Sequence, residues 1–259
     1  MVGLPTSPLG LVLLAGVTGG GLLALGFALR EVGAIRQVIG GTSTDIYSLS
    51  TGTNGPISIS GTAVLYEETL LSPFTGTDCL ALEYEVEERR TTQHGTSWVE
   101  IDSGRAAVPF LLEDKTGSVL VKPTRVRLGL DTSETIDVDG GEPPPDRIQE
   151  FIERNADVDS EERTWDLKIV ELNVGDDRRY IERRLDSGES VTVFGEVRNE
   201  PGVSTRAGQV NAVLAAGSHP LVLSETTPYR TVLRVFWPVL VAACLGIVLL
   251  GAAIALVLL

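Results

Sequence analysis

Four side chains could act as soft metal ligands, thiol nucleophiles or imidazole bases: Cys79, His94, His219 and Cys244. They are far apart, whereas structural zinc sites need four ligands, usually in close pairs. No bound metal is expected. Two cysteines cannot build a disulfide framework. Cys79 has no His or Lys beside it in sequence to lower its pKa, so it reads as a small buried residue at the start of a strand rather than a reactive thiol. His94, Ser97 and Asp102 have the composition of a hydrolytic triad. Ser97 lacks the flanking glycines of a nucleophile elbow, and these three are expected to decorate a hairpin tip. Asp114, Thr116 and Gly117 suit a turn closed by side-chain hydrogen bonds. No glycine-rich phosphate loop opens a helix, so no nucleotide cofactor is expected. Trp98 and Phe110 could line a groove, but aromatics on alternating strands more often fill a core. Glu161 and Glu162 lie in a solvated acidic run.

The elements that must position these residues follow from charge and periodicity. The chain has 259 residues, 35 acidic and 21 basic, with a formal charge of −14. The basic residues are 18 Arg and three Lys, at Lys115, Lys122 and Lys168. A nucleic-acid binder would show a basic stripe, and this chain does not. Excess acid with Arg in place of Lys, spread over the whole middle segment, suits a surface kept soluble in high salt. The composition therefore points to a salt-loving archaeal source.

Every charge lies between Arg30 and Arg234. On either side stand the apolar runs 8–29 and 235–259, each long enough for a bilayer-spanning helix of about 20 residues. Tyr229 and Trp237 stand where interfacial aromatics belong, and Pro238 falls in a first helical turn. The first run is long and no Lys or Arg precedes it, which favours an anchor over a cleaved signal peptide. Gly16, Gly20 and Ala24 recur at four-residue spacing, as do Ala242 and Gly246. That pattern either packs helices together or reflects the ordinary composition of membrane helices. Arg30, Arg36, Arg230 and Arg234 flank the runs on their inner sides, so the positive-inside rule puts the middle segment in the cytoplasm.

Within the middle segment, short runs alternate apolar and polar residues with the period of half-buried strands. Such runs occur around Ile57 and Ile59, from Leu80 to Val86, and around Trp98 and Ile101. A hairpin is expected over 106–122, turning at 113–117. Further strands are expected at 125–130, 165–172, 180–185 and 191–197. Pro143 to Pro145 precede Asp146, a good N-cap, and Ile148, Phe151 and Ile152 then recur at helical spacing, so a short helix is expected over 147–155. Residues 210–216 fit helix or strand. Residues 49–63 weakly echo 185–197, each with a strand interrupted by glycine, Gly61 or Gly195. Such glycines mark bulges or barrel corners. The expected fold is a mainly β soluble domain with one short helix, flanked by two transmembrane α-helices. The domain is a small barrel or a sandwich, with an OB-like barrel among the candidates.

The segments 72–88 (SPFTGTDCLALEYEVEE), Trp98, 109–123 (PFLLEDKTGSVLVKP), 180–197 (YIERRLDSGESVTVFGEV) and 219–234 (HPLVLSETTPYRTVLR) stand in that order. This order resembles the GIDE, or beside-a-membrane, domain of mitochondrial RING-type E3 ubiquitin ligases of the MULAN kind. Two transmembrane helices flank the domain there as well. The resemblance covers roughly residues 61–234 and implies that Cys79, Trp98, Phe110, Asp114, Gly117, Pro123, Tyr180, Gly188 and Gly195 are the motif positions, structural or interaction-making. In the ligases a RING follows the second helix, and a RING needs eight Cys or His ligands for two zinc ions. This chain has four such residues, so ligase activity is not expected to carry over with the family. In the mitochondrial relatives the domain faces the intermembrane space, against the cytoplasmic placement given by the positive-inside rule.

The expected organisation is an N-terminal tail (1–7), a transmembrane helix (8–29), a juxtamembrane linker (30–56), a GIDE-like β domain (57–230) with an acidic insertion (131–162), and a second transmembrane helix (235–259). The expected role is that of a multi-pass cell-membrane protein whose domain binds other membrane proteins or itself and is not itself catalytic. The alternative is a component of a ubiquitin-ligase-like system with a separate catalytic partner. A third reading is an enzyme using Cys79 or Ser97.

Overall fold

The computed structural model describes residues 8–40, 42–49, 56–92, 95–156, 176–204, 208–225 and 228–258. The chain forms two compact units, one of residues 42–226 and one of residues 1–41 with 227–259. The strand expected over 165–172 lies outside the described residues.

The larger unit holds β1 (Thr42–Ser43), α2 (Ile46–Leu49), β2 (Pro56–Leu65), β3 (Leu70–Leu71), β4 (Asp78–Cys79), β5 (Ala81–Thr92), β6 (Gly95–Ala107), β7 (Phe110–Glu113), β8 (Ser118–Lys122), β9 (Val126–Gly129), β10 (Thr132–Val138), α3 (Asp146–Ala156), β11 (Arg178–Leu185), β12 (Ser190–Asn199), β13 (Gln209–Ala215) and β14 (Leu221–Ser224). Five strands close a ring: β2 pairs with β7, β7 with β8, β8 with β13, β13 with β12, and β12 with β2. Of these five ring contacts among the described residues, only that of β8 with β13 is parallel. The domain is a five-strand barrel, not a sandwich.

The echoing segments close this barrel by pairing with each other, Gly61 opposite Val191 and Gly195 opposite Ile57. At Thr62, β2 passes from β12 to β7. A Cβ on Gly61 would lie 2.4 Å from the Glu113 carbonyl oxygen, so only glycine fits this corner. Ile57, Ile59, Phe110, Leu112, Val119, Val121, Val191, Val193 and Leu214 share the main core cluster. Leu111, Leu120, Val213 and Ala215 form a separate buried cluster with Val64, Tyr66 and Val203 packed against it. Strands buried on both faces read as unbroken apolar runs, which is why 210–216 looked ambiguous.

A second sheet has the order β10–β11–β5–β6, all antiparallel. Leu82, Tyr84, Val86 and Tyr180 pack with Ile148 of α3, and Phe151 and Ile152 add to that cluster. Within the acidic insertion, β10 and α3 help build this layer. The hairpin is shorter than expected. Ala106 and Ala107 belong to β6, and β7 starts only at Phe110. Pro109 has no N–H for a ladder, while the Val108 N–H donates to the Leu80 carbonyl at 2.9 Å.

The smaller unit holds α1 (Pro8–Gly40), α4 (Pro228–Val235) and α5 (Trp237–Leu258). The expected linker from residue 30 is helix up to Gly40, and the domain already begins at Thr42. Residues 237–255 of α5 are long and apolar enough to cross a membrane. α1 and α5 run antiparallel and approach closely where a Cβ on Gly246 would lie 3.0 Å from the Gly21 carbonyl oxygen. Val239, Gly246 and Ala253 are buried at seven-residue spacing, as are Gly21 and Ala28. Buried small residues on both helices thus recur at seven-residue spacing along the contact. A Cβ on Gly16 would meet nothing within 4 Å, whereas one on Gly20 would meet Leu249 at 3.7 Å, so of these two only Gly20 faces the other helix closely.

Candidate interaction site

The loop between β3 and β4 carries Ser72, Phe74, Thr75 and Thr77 ahead of Cys79. Its hydroxyls bond to one another: Ser72 Oγ to Thr75 Oγ1 at 2.8 Å, and Thr75 Oγ1 to Thr77 Oγ1 at 2.9 Å. The Thr77 N–H donates to Ser72 Oγ at 2.9 Å, closing the turn. Strand β11 supplies the rest. Glu182 is fully buried and accepts the Thr75 N–H through Oε2 at 3.1 Å. Arg184 lies 3.6 Å from Glu182 Oε1, donates to Thr75 Oγ1 at 3.2 Å, and pairs with Asp186 at 3.3 Å. Burial weakens the Arg184 charge, but Asp186 and Glu182 outweigh it and hold the guanidinium protonated. A buried carboxylate is tolerable only when paired and hydrogen-bonded in this way.

Cys79 is buried beneath this network. Its thiol is pushed up to about 12, first by burial and then by Asp186, with Arg184 opposing. Such a thiol is inert. Phe74 anchors the loop by edge-to-face contacts with Tyr84, Phe151 and Tyr180, with centroids at 5.5, 5.3 and 5.3 Å. Tyr84 also lies over Gly104, where a Cβ would come within 2.5 Å of the ring.

The hairpin turn does what its sequence promised. Asp114 Oδ1 accepts the N–H groups of Thr116 and Gly117 at 2.6 and 3.0 Å. Its Oδ2 also accepts the Ile46 N–H at 2.9 Å, and Thr116 Oγ1 accepts the Tyr47 N–H at 3.0 Å, so the turn caps α2. Burial raises the Asp114 pKa, but these hydrogen bonds outweigh it and hold the carboxyl below its ordinary value. Gly117 is required because a Cβ would lie 2.8 Å from the Gly208 carbonyl oxygen. Gly188 takes a positive φ of 100° in the β11–β12 turn, and its N–H donates to the Ala63 carbonyl at 2.7 Å. A Cβ on Gly195 would meet Leu221 at 2.5 Å. Pro123 follows the last residue of β8, where the Thr124 N–H turns back to the Lys122 carbonyl. Phe110 and Tyr180 are core, in separate clusters.

Trp98 is not core. It is half-buried on β6 under the Arg179 guanidinium, 4.3 Å from the ring centroid. Arg179 also pairs with Asp137 at 2.7 Å and approaches Glu87 at 3.9 Å, and Arg183 pairs with Glu85 at 3.1 Å. These charges lie on the face of the sheet opposite Tyr84 and Tyr180, by the alternation of β5 and β11. The triad reading fails. Ser97 and Asp102 lie five residues apart on one strand, about 16 Å. His94 lies outside the described residues. Asp102 instead sits beside the Tyr84 phenol, and burial raises both groups. Among the described residues no group of three or more His, Cys, Asp or Glu could hold a metal ion.

Glu182, Arg184, Thr75 and Arg179 were not singled out from the sequence. A signal existed for the first two, since strand periodicity places Glu182 and Arg184 on the same face as the buried Tyr180.

The chain matches a known family over much of this domain. The family model GIDE, described as an E3 Ubiquitin ligase, matches residues 81–228. The match takes in Trp98, both hairpins and the β11–β12 turn, and starts two residues after Cys79. No curated protein matches the chain, and no solved structure does.

Proposed function

The chain belongs to the GIDE family, and from that premise we propose that it is a two-pass membrane protein whose β domain is a membrane-anchored interaction or assembly module. The observation that carries this reading is the apolar surface of the smaller unit. Leu22, Leu23, Phe27 and Leu29 on α1, and Val241, Leu245, Ile247, Val248 and Ile254 on α5, are all exposed. Apolar side chains around a helix pair need lipid as their solvent. The close crossing at Gly21 and Gly246 supports α1 entering the bilayer with α5.

The domain's strand order supports an OB-like reading. Numbered along the chain, the barrel strands run 1-2-3-5-4 around the ring, with the parallel contact between the third and fifth. The buried Glu182 is served by Thr75 and Arg184, and the inert Cys79 argues for a scaffold. The face presenting Trp98, Arg179 and Arg183 is the proposed contact surface, since aromatic and Arg side chains dominate protein interfaces. The partner is another membrane protein or a second copy. The arginines flanking both apolar runs support a cytoplasmic domain, and the acidic, Lys-poor composition supports a salt-rich archaeal cell.

Crosslinking in native membranes tests the role. A specific partner or dimer is expected, reduced in W98A/R179A. Recovery of monomer alone would overturn it. Protease cleavage of the domain from outside intact cells would reverse the topology.

The family's description favours a second reading, a ubiquitin-ligase-like component. The two Cys and two His of residues 1–259 do not make up a RING's eight ligands, so on this reading the matched domain is not itself the catalytic part. Co-purification of a RING protein, or of ubiquitin-like conjugates, would select it.

A further inference from the structure

Charge is divided sharply between the two units. Residues 1–41 and 227–259 contain four Arg and one Glu, a net of +3. The domain holds the other 17 basic and 34 acidic residues, a net of −17. An anionic leaflet would repel the domain and attract the smaller unit.

The positive charge of that unit is confined to its non-apolar ends. α1 is 33 residues long, about 50 Å, against a hydrocarbon core of about 30 Å. Its apolar run ends at Leu29, so the last 11 residues, about 16 Å of helix, extend past the core. α4 precedes α5 directly, and Pro238 marks the break between them. α4 is short and strongly amphipathic and packs on α1. Ala34 and Val38 of α1, Val232 of α4 and the adjoining Phe236 are buried, while Arg36 and Arg230 are exposed. The end of α1 and α4 thus pack together with buried apolar residues on each, while Arg36 and Arg230 are exposed.

We infer that this juxtamembrane collar, the end of α1 with α4, is a binding surface for anionic phospholipid headgroups, read by Arg36 and Arg230. A guanidinium pairs with phosphate through two parallel hydrogen bonds, which suits it to this ligand. Basic residues at the membrane surface concentrate anionic lipid by about five-fold each. The inference rests on the bilayer-spanning reading above.

The test uses the full chain reconstituted in phosphatidylcholine bilayers, with trace spin-labelled phosphatidylglycerol or spin-labelled phosphatidylcholine. The fraction of each label immobilised at the protein boundary is measured. Phosphatidylglycerol should be favoured by about five-fold or more. The preference should fall toward unity in R36Q/R230Q and persist in the charge-conserving R36K/R230K. Equal immobilisation of both lipids by the native chain, or an undiminished preference in R36Q/R230Q, would overturn the collar as a lipid site while leaving the spanning reading intact. Absence of any immobilised phosphatidylcholine would overturn the spanning reading, and the inference with it.

Discussion

Glu182 of β11 accepts the backbone N–H of Thr75, 107 positions earlier in the chain, at 3.1 Å. One buried carboxylate thereby ties the loop ahead of β4 to strand β11, far along the chain. Replacing it by Ala would leave the Arg184 charge and the Thr75 N–H without this acceptor. E182A should therefore destabilise the domain by about 3 kcal/mol, and E182Q by less, since an amide oxygen still accepts the Thr75 bond. Urea midpoints of the two variants test the order, and an E182A midpoint equal to the native one would refute the role.

The two barrel glycines should differ. At Gly61 the obstacle to a Cβ is the Glu113 backbone at 2.4 Å, which cannot swing aside. At Gly195 the nearest atom is the end of the Leu221 side chain. G61A should cost about 3 kcal/mol and G195A about 1–2 kcal/mol. Equal costs would mean that the β2 corner yields as readily as a side chain.

Asp114 and Glu196 both have folded-state pKa values below their ordinary ones. For Glu196 the leading cause is the Ser218 hydroxyl, which donates to Oε1 at 2.7 Å. A depressed carboxyl contributes stability above its unfolded pKa and loses it as pH falls through the folded value. The two groups should therefore stabilise the domain above about pH 4.5 and cease to do so progressively below about pH 4. D114N/E196Q should show a smaller drop across that acid range than the native chain. A parallel fall in both proteins would argue that other carboxylates govern acid unfolding.

Cys79 should resist alkylation. With its thiol near 12 and its side chain buried, maleimide at pH 8 should modify it only after denaturant is added. Mass spectrometry of the native protein reads this directly, and prompt native labelling of Cys79 would revive a redox role.

The domain's 34 acidic against 17 basic residues set up self-repulsion that salt screens. Raising KCl into the molar range should raise its thermal midpoint. A midpoint indifferent to salt would remove the reading of a salt-adapted surface.

Much of the barrel could be read in advance because its strands obey simple periods. Ile57 and Ile59 alternate with serines, and the Asp114 turn announces its hairpin. Asp146 and the apolar triplet after it mark α3. The pairing of the two glycine-bearing echoes was not legible, since nothing local states that residues some 130 positions apart are neighbours. Trp98 was misjudged for a related reason. Which face of a strand is covered depends on the layer laid against it, and α3 covers the opposite one. The helix seam was left open because glycines at four-residue spacing are common in apolar helices. The seven-residue repeat at Gly246 becomes visible only once a partner helix is in place.

The closure of β2 against β12 also bears on synthesis. While the ribosome is still making the segment after Leu185, β2 lacks the neighbour that completes its ring, and its apolar edge must wait. A nascent chain stalled before β12 would therefore present an open, aggregation-prone edge.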